Sequence, residues 1–151
     1  MLISVRHNFE TAHRLPFLEG KCQNIHGHSW WVEWTIEASM DHNGLTVDFG
    51  IIKKSLREWV DMALDHGAML GRDDSLLKAF QDDGSKVFIF GEIGSLLAED
   101  LPWPTVEAVA KMLARMAYNR LALPLGQRVV QVEVTEKHDN KATWTWGGEG
   151  L

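Results

Sequence analysis

The stretch Cys22-Gln23-Asn24-Ile25-His26-Gly27-His28 places a thiol just upstream of two imidazoles. If residues 26–28 are extended, side chains at i and i+2 leave the same face, so His26 and His28 point together. A third imidazole, His13, closes the segment Phe9-Glu10-Thr11-Ala12-His13. Three neutral histidines with one open position form the donor set of a catalytic zinc rather than a structural one. Cys22 is the only cysteine in the chain. Beside such a metal its thiolate would be a reagent; elsewhere a free cysteine is simply a small buried hydrophobe.

Two further places could carry proton chemistry or recognition. Asp65 and His66 are adjacent at the end of an expected helix. There a histidine can complement the helix dipole, or be oriented by the aspartate as a general acid or base. Neighbours on a helix do not face each other, so the pair requires the helix to unwind, which Gly67 permits. Glu136 lies near the end of an expected strand. Such a glutamate is ordinary on a surface, but in a pocket it would accept paired hydrogen bonds from an aminopyrimidine-type ligand. Pro104-Thr105-Val106-Glu107 reads first as a well-capped helix start.

The elements that must position these residues follow from periodicity. Leu2–His13 alternates as a strand, with Ile3, Val5, His7 and Phe9 on one face. Ser29–Ala38 is a second strand, with Trp30, Val32, Trp34 and Ile36 sharing a face, and the two should pair antiparallel. Asp41-His42-Asn43-Gly44 is a turn. Asp48 caps a helix from Phe49 to Leu64, with Ile52, Leu56, Trp59, Val60 and Ala63 at helical spacing. Asp74–Phe80 is a short helix and Lys86–Phe90 a short strand. Thr105 caps a second long helix ending near Leu121. Arg128–Thr135 is a third strand and Ala142–Trp146 a fourth. This order predicts an α+β fold: an antiparallel four-stranded sheet with two long helices on one face.

The bulk properties narrow the function. The 151 residues are 45% hydrophobic and 24% charged, which fits one domain spanning 1–151. No apolar run approaches the roughly 20 residues of a membrane span, and the N-terminus has no secretory pattern. One cysteine and no leader suit a cytoplasmic protein. A formal net charge of -6 argues against a nucleic-acid surface but leaves room for an anionic small molecule held by a local cation cluster. Seven tryptophans point to a pocket wall or a subunit interface.

Taken in order, these pieces resemble the 6-pyruvoyl-tetrahydropterin synthase and 6-carboxytetrahydropterin synthase family, of the tunnelling fold. The resemblance runs through Phe9–Leu15, Cys22 with His26-Gly27-His28, Val47-Asp48-Phe49, Leu64-Asp65-His66, Pro104–Glu107 and Val134-Thr135-Glu136. It implies zinc on His13, His26 and His28, and Cys22 as general base with Asp65 and His66 completing a proton relay. It also implies Glu136 as the anchor of a pterin ring, helped by Thr105 and Glu107. Homo-oligomers that close into a β-barrel, with sites between subunits, are implied as well.

The family substrate is 7,8-dihydroneopterin triphosphate. Three residues separate Cys22 from His26, a spacing similar to the carboxy-forming branch, which serves 7-deazaguanine (queuosine) synthesis for tRNA modification. The pyruvoyl-forming branch, a non-catalytic pterin- or purine-binding module and a structural metalloprotein are the alternatives. Arg14, Lys21 and Lys137 are candidates for phosphate contacts. Lys137 departs from the family's usual threonine. The segment between His66 and Pro104 is long and lacks the family's usual asparagine, so an extra strand or an altered pocket mouth is expected there.

Overall fold

The computed structural model describes residues 1–146; positions 147–151 of the expected domain lie outside the described residues. The first strand, β1, spans Leu2–His13 and the second, β2, spans His26–Glu37. They pair antiparallel over their whole length, from Leu2 against Glu37 to His13 against His26. The β2 ladder thus starts three residues before the expected Ser29, which brings His26 and His28 into regular strand geometry.

Helix α1 (Phe49–Ala63) begins as its sequence dictates. The Asp48 carboxylate accepts from the N–H groups of Gly50 and Ile51, satisfying two of the donors a helix start leaves open. Its buried residues Ile52, Leu56, Trp59 and Val60 follow helical spacing. Helix α3 (Val106–Arg120) starts at Thr105, whose hydroxyl accepts from the Ala108 N–H. Both helices pack on the sheet face that carries Phe9, Trp30, Val32, Trp34, Val132 and Val134, all buried in one core.

The sheet has six strands, not the four expected. The long segment after His66 folds as β3 (Gly67–Gly71), the short helix α2 (Leu77–Asp83) and β4 (Val87–Phe90). With β5 (Arg128–Lys137) and β6 (Asn140–Thr145), the strand order is β4-β3-β1-β2-β5-β6. β3 runs parallel to β1 and to β4, so the sheet is mixed rather than purely antiparallel. The reason lies in the connection: α1 separates the β1–β2 hairpin from β3, and a crossover of that length is what a parallel neighbour requires.

Most tryptophans serve the core rather than an open face. Trp30, Trp34 and Trp59 are buried, and Trp144 packs against the same cluster. The indole N–H of Trp30 donates to the Thr11 carbonyl at 3.1 Å, tying the end of β1 to β2 just before the histidines. Trp31 faces the other side and stays 38% exposed, which matters for the pocket described below. Among the described residues, no helix is long and apolar enough to cross a membrane.

Candidate metal centre and adjoining pocket

Antiparallel register builds the centre. His13 sits directly opposite His26, and Thr11 opposite His28, so the two β2 imidazoles flank the one from β1. Ring centroids lie 4.7 Å apart for His13–His26, 5.3 Å for His13–His28 and 4.8 Å for His26–His28. One ligand nitrogen from each lies within 4.8 Å of the others, so the trio could hold a metal ion.

Backbone carbonyls aim the rings. His13 Nδ1 meets the Pro104 carbonyl at 2.9 Å, and His26 Nδ1 meets the Asn24 carbonyl at 2.7 Å. A carbonyl only accepts, so each Nδ1 carries the proton and each Nε2 keeps its lone pair for a ligand. The buried Nε2 atoms of His13 and His28 have no hydrogen-bond partner among the described residues. Unpartnered buried imidazole nitrogens are what a metal site of this donor type requires, and at His13 the opposite edge of the ring is already anchored. Burial lowers the pKa of both His13 and His28 below the ordinary imidazole value. For His13 this outweighs the Pro104 carbonyl and the Glu136 charge, which favour protonation. The neutral, metal-binding form is therefore the favoured one.

Glu136 stands against this cluster. One carboxylate oxygen is 3.1 Å from His13 Nε2 and 3.7 Å from His28 Nε2, at ion-pair distance but without hydrogen-bond geometry. The other oxygen accepts from Asn140 at 3.3 Å. The side chain is only 15% exposed. It borders a pocket of about 450 Å³ lined by residues of β1, β2, the end of β5 and the β5–β6 turn, including His28, Trp31 and Glu136.

Asp65 and His66 form a joined unit at the end of α1. Asp65 Oδ2 lies 2.6 Å from His66 Nδ1, and Oδ1 accepts from the Glu10 N–H at 2.8 Å. The helix unwinds as the adjacency demanded, but His66 itself rather than Gly67 takes the left-handed conformation, with φ 56°. Non-glycine residues adopt this conformation at a cost, and it is held here by the His66 N–H donating to the Glu10 carbonyl at 2.6 Å. Burial pushes the Asp65 carboxyl up. The Glu10 N–H, the His66 ring and the Lys86 charge outweigh it and hold the group below the usual carboxylate range. The His66 ring is 79% exposed.

Cys22 is not hydrogen-bonded to this pair among the described residues. It is exposed on a one-turn 3-10 helix, Lys21–Gln23, and makes no hydrogen bond to the three histidines among the described residues. Thr105 is occupied as the α3 cap, and Glu107 is exposed. Their motif touches the centre through Pro104, whose carbonyl holds His13. No residue type announces a backbone acceptor, so this role had no signal in the sequence.

Arg14 is already paired within the chain. Its guanidinium binds the buried Asp74 carboxylate through two nitrogens. Arg6 and Trp31, which sequence reading passed over, line the pocket instead. The β1–β2 register was the signal that could have found them, since Asn8 pairs with Trp31 and Arg6 with Glu33 on the same sheet face.

The sequence model of one family, described as 6-pyruvoyl tetrahydropterin synthase, matches residues 2–146. The chain belongs to that family. Its relatives include a protein of Halobacterium salinarum named probable 6-carboxy-5,6,7,8-tetrahydropterin synthase, 30% identical over 125 residues, which are 83% of this chain and 73% of the relative. Proteins named 6-carboxy-5,6,7,8-tetrahydropterin synthase from Rickettsia typhi and Rickettsia bellii are 40% and 38% identical, over 46% and 55% of this chain. In those two cases the match spans 51% and 62% of the relative's length.

Among solved structures, a protein of Wolinella succinogenes superposes with a TM-score of 0.72 at 23% identity, covering 96% of this chain and 97% of the other. The 6-pyruvoyl tetrahydropterin synthase of Caenorhabditis elegans gives 0.69 at 20% identity, with 97% and 96% covered. At these identities the likeness establishes the family's fold.

Proposed function

We propose that this family member is a zinc-dependent lyase. It converts 7,8-dihydroneopterin triphosphate and water to 6-carboxy-5,6,7,8-tetrahydropterin, acetaldehyde and triphosphate, and so supplies 7-deazaguanine synthesis in the cytoplasm. The observation that carries this reading is the centre itself: three clustered histidines, two of them with unpartnered buried Nε2 atoms, beside a largely buried glutamate at the edge of a pocket. The names of the Rickettsia and Halobacterium relatives support the carboxy-forming branch over the pyruvoyl-forming one.

His13, His26 and His28 would hold the zinc. When bound, it supplies Lewis acidity that polarises side-chain hydroxyls and stabilises developing negative charge on oxygen. Glu136 accepts paired hydrogen bonds from the aminopyrimidine edge, which orients the ring. The Cys22 thiolate takes a proton from the substrate side chain. Asp65 holds His66 through Nδ1, leaving Nε2 to receive or return a second proton. Thr105 and Glu107, the cap and first turn of α3, help to recognise the ring, next to the Pro104 carbonyl that holds His13.

Among the described residues Cys22 makes no hydrogen bond to Asp65 or His66, which fits a site completed by a second copy, in a homo-oligomer closed as a β-barrel. A pterin-binding module without activity would need neither the thiol nor the aspartate–histidine pair.

Cysteine and metal dependence test the reading together. The metal-stripped protein should be inactive and regain turnover with one zinc per chain. Cys22→Ala should keep its zinc and lose about 10²–10⁴-fold in kcat. Full activity in that variant, or in the stripped protein, sinks the proposed chemistry.

A further inference from the structure

The pocket beside Glu136 has a cationic wall. Arg6, Lys137 and His138 all line it, in a chain whose formal net charge is -6. Among the described residues, neither Arg6 nor Lys137 is spent on an ion pair. Lys21, a candidate from the sequence, is not among the residues that line the pocket, and two other cations are already engaged. Arg14 is neutralised by Asp74, and the Lys86 ammonium is held by the carbonyls of Asp61 and Asp65.

Two structural devices place the wall. The Arg6 guanidinium lies 4.2 Å above the Trp31 ring, a stacking that orders a long side chain while leaving its N–H fork open. The β5–β6 pairing shifts register between Thr135 and Lys137. Such a bulge re-aims the side chain that follows it. Here Glu136 stays against the histidines while Lys137 joins the pocket lining. The Lys137 charge is near enough to His28 to add to the lowering of its pKa, after burial and alongside His26.

Resting on the function proposed above, we infer that Arg6, Lys137 and His138 take the phosphate-bearing side chain of the substrate and select a phosphorylated pterin over its unphosphorylated counterpart. A pocket with a carboxylate beside the metal centre and cations at the rim suits a ligand with a hydrogen-bond-donating ring at one end and a polyanion at the other. Arg6 offers a planar fork matched to phosphate oxygens, and Lys137 offers a mobile point charge.

Equilibrium binding of the fluorescent, non-reacting pair neopterin triphosphate and neopterin tests this without requiring turnover. The zinc-loaded wild type should bind the triphosphate more than about tenfold tighter, and that advantage should shrink with added salt. Arg6→Ala and Lys137→Ala should each lose about tenfold for the triphosphate and less than about twofold for neopterin, with Lys137→Arg restoring most of it. Equal losses for both ligands, or none for either, overturn the wall. If the discrimination holds while dihydroneopterin triphosphate gives no product, the proposed reaction fails and the anion wall stands. If product forms and the variants keep wild-type discrimination, the reverse is true.

Discussion

His13 connects more of the site than any other side chain. It faces His26 across the β1–β2 pair, donates to Pro104 and has Glu136 near its Nε2. His13→Ala should therefore abolish tight metal binding, seen as a fall from about one zinc per chain to under about a tenth by elemental analysis. Asp65→Asn should retain metal but lower kcat by about 10²–10⁴-fold, because the neutral amide no longer holds and charges His66. Retained turnover in Asp65→Asn would remove the pair from the mechanism. These residues were legible because an i, i+2 histidine pair has only one geometry on a strand, and because adjacency of Asp65 and His66 forced the helix to end there. The carbonyls of Pro104 and Asn24 were not legible, since every residue carries one and only the fold decides which is aimed at a ring. The pairing of Arg14 was hidden for the same reason: its partner, Asp74, lies 60 positions away in sequence.

At the scale of elements, the supports behind the centre can be broken separately from it. Gly71 ends β3 under the loop that leads to Pro104. A Cβ there would fall 2.5 Å from the Trp103 ring and 2.6 Å from the Pro102 carbonyl. Gly71→Ala should cost about 1–3 kcal/mol by overpacking and weaken zinc binding, because it displaces the segment that holds His13. Denaturant melts with a metal titration check both effects.

Asp100 fastens the loop before α3 to that helix. Arg115, opposing the effect of burial, together with Lys111 holds its carboxyl well below the usual range. A carboxyl depressed in the folded state adds stability that is full above its unfolded value near 4 and is lost as pH falls toward its folded value. The group is 53% exposed, so solvent screening limits the contribution to about 1 kcal/mol or less. Asp100→Asn should thus be less stable than wild type at neutral pH, with the gap closing in acid. A gap that widens in acid would contradict the pairing.

The two long helices and four long strands were legible from periodicity and caps, β1 to the residue at both ends. β3 was not. It is short, bounded by glycines and buried along nearly its whole length, so it shows no polar–apolar alternation.

For the whole molecule, the central question is what completes the site. Among the described residues no hydrogen bond joins Cys22 to the Asp65–His66 pair, although all three belong to the proposed relay. An oligomer that joins them predicts rescue between inactive variants. Subunits of Cys22→Ala and His66→Ala, dissociated and reassembled in equal amounts, should recover about a quarter of wild-type activity, since random mixing gives that share of intact shared sites. No recovery in a reassembled oligomer would confine the relay to single subunits. Composition pointed the tryptophans to a pocket wall or a subunit interface; Trp31 does line the pocket, while the core claims Trp30, Trp34 and Trp59, because large apolar rings gain more from burial than from half-exposure on an open sheet.

The most direct measurement is product identification with the zinc-loaded protein and 7,8-dihydroneopterin triphosphate. Chromatography of the pterin should be paired with a coupled assay for acetaldehyde. The expected result is 6-carboxy-5,6,7,8-tetrahydropterin and acetaldehyde in equal amounts, with triphosphate released. A pyruvoyl product without acetaldehyde, or no turnover at all with one zinc bound per chain, would contradict it.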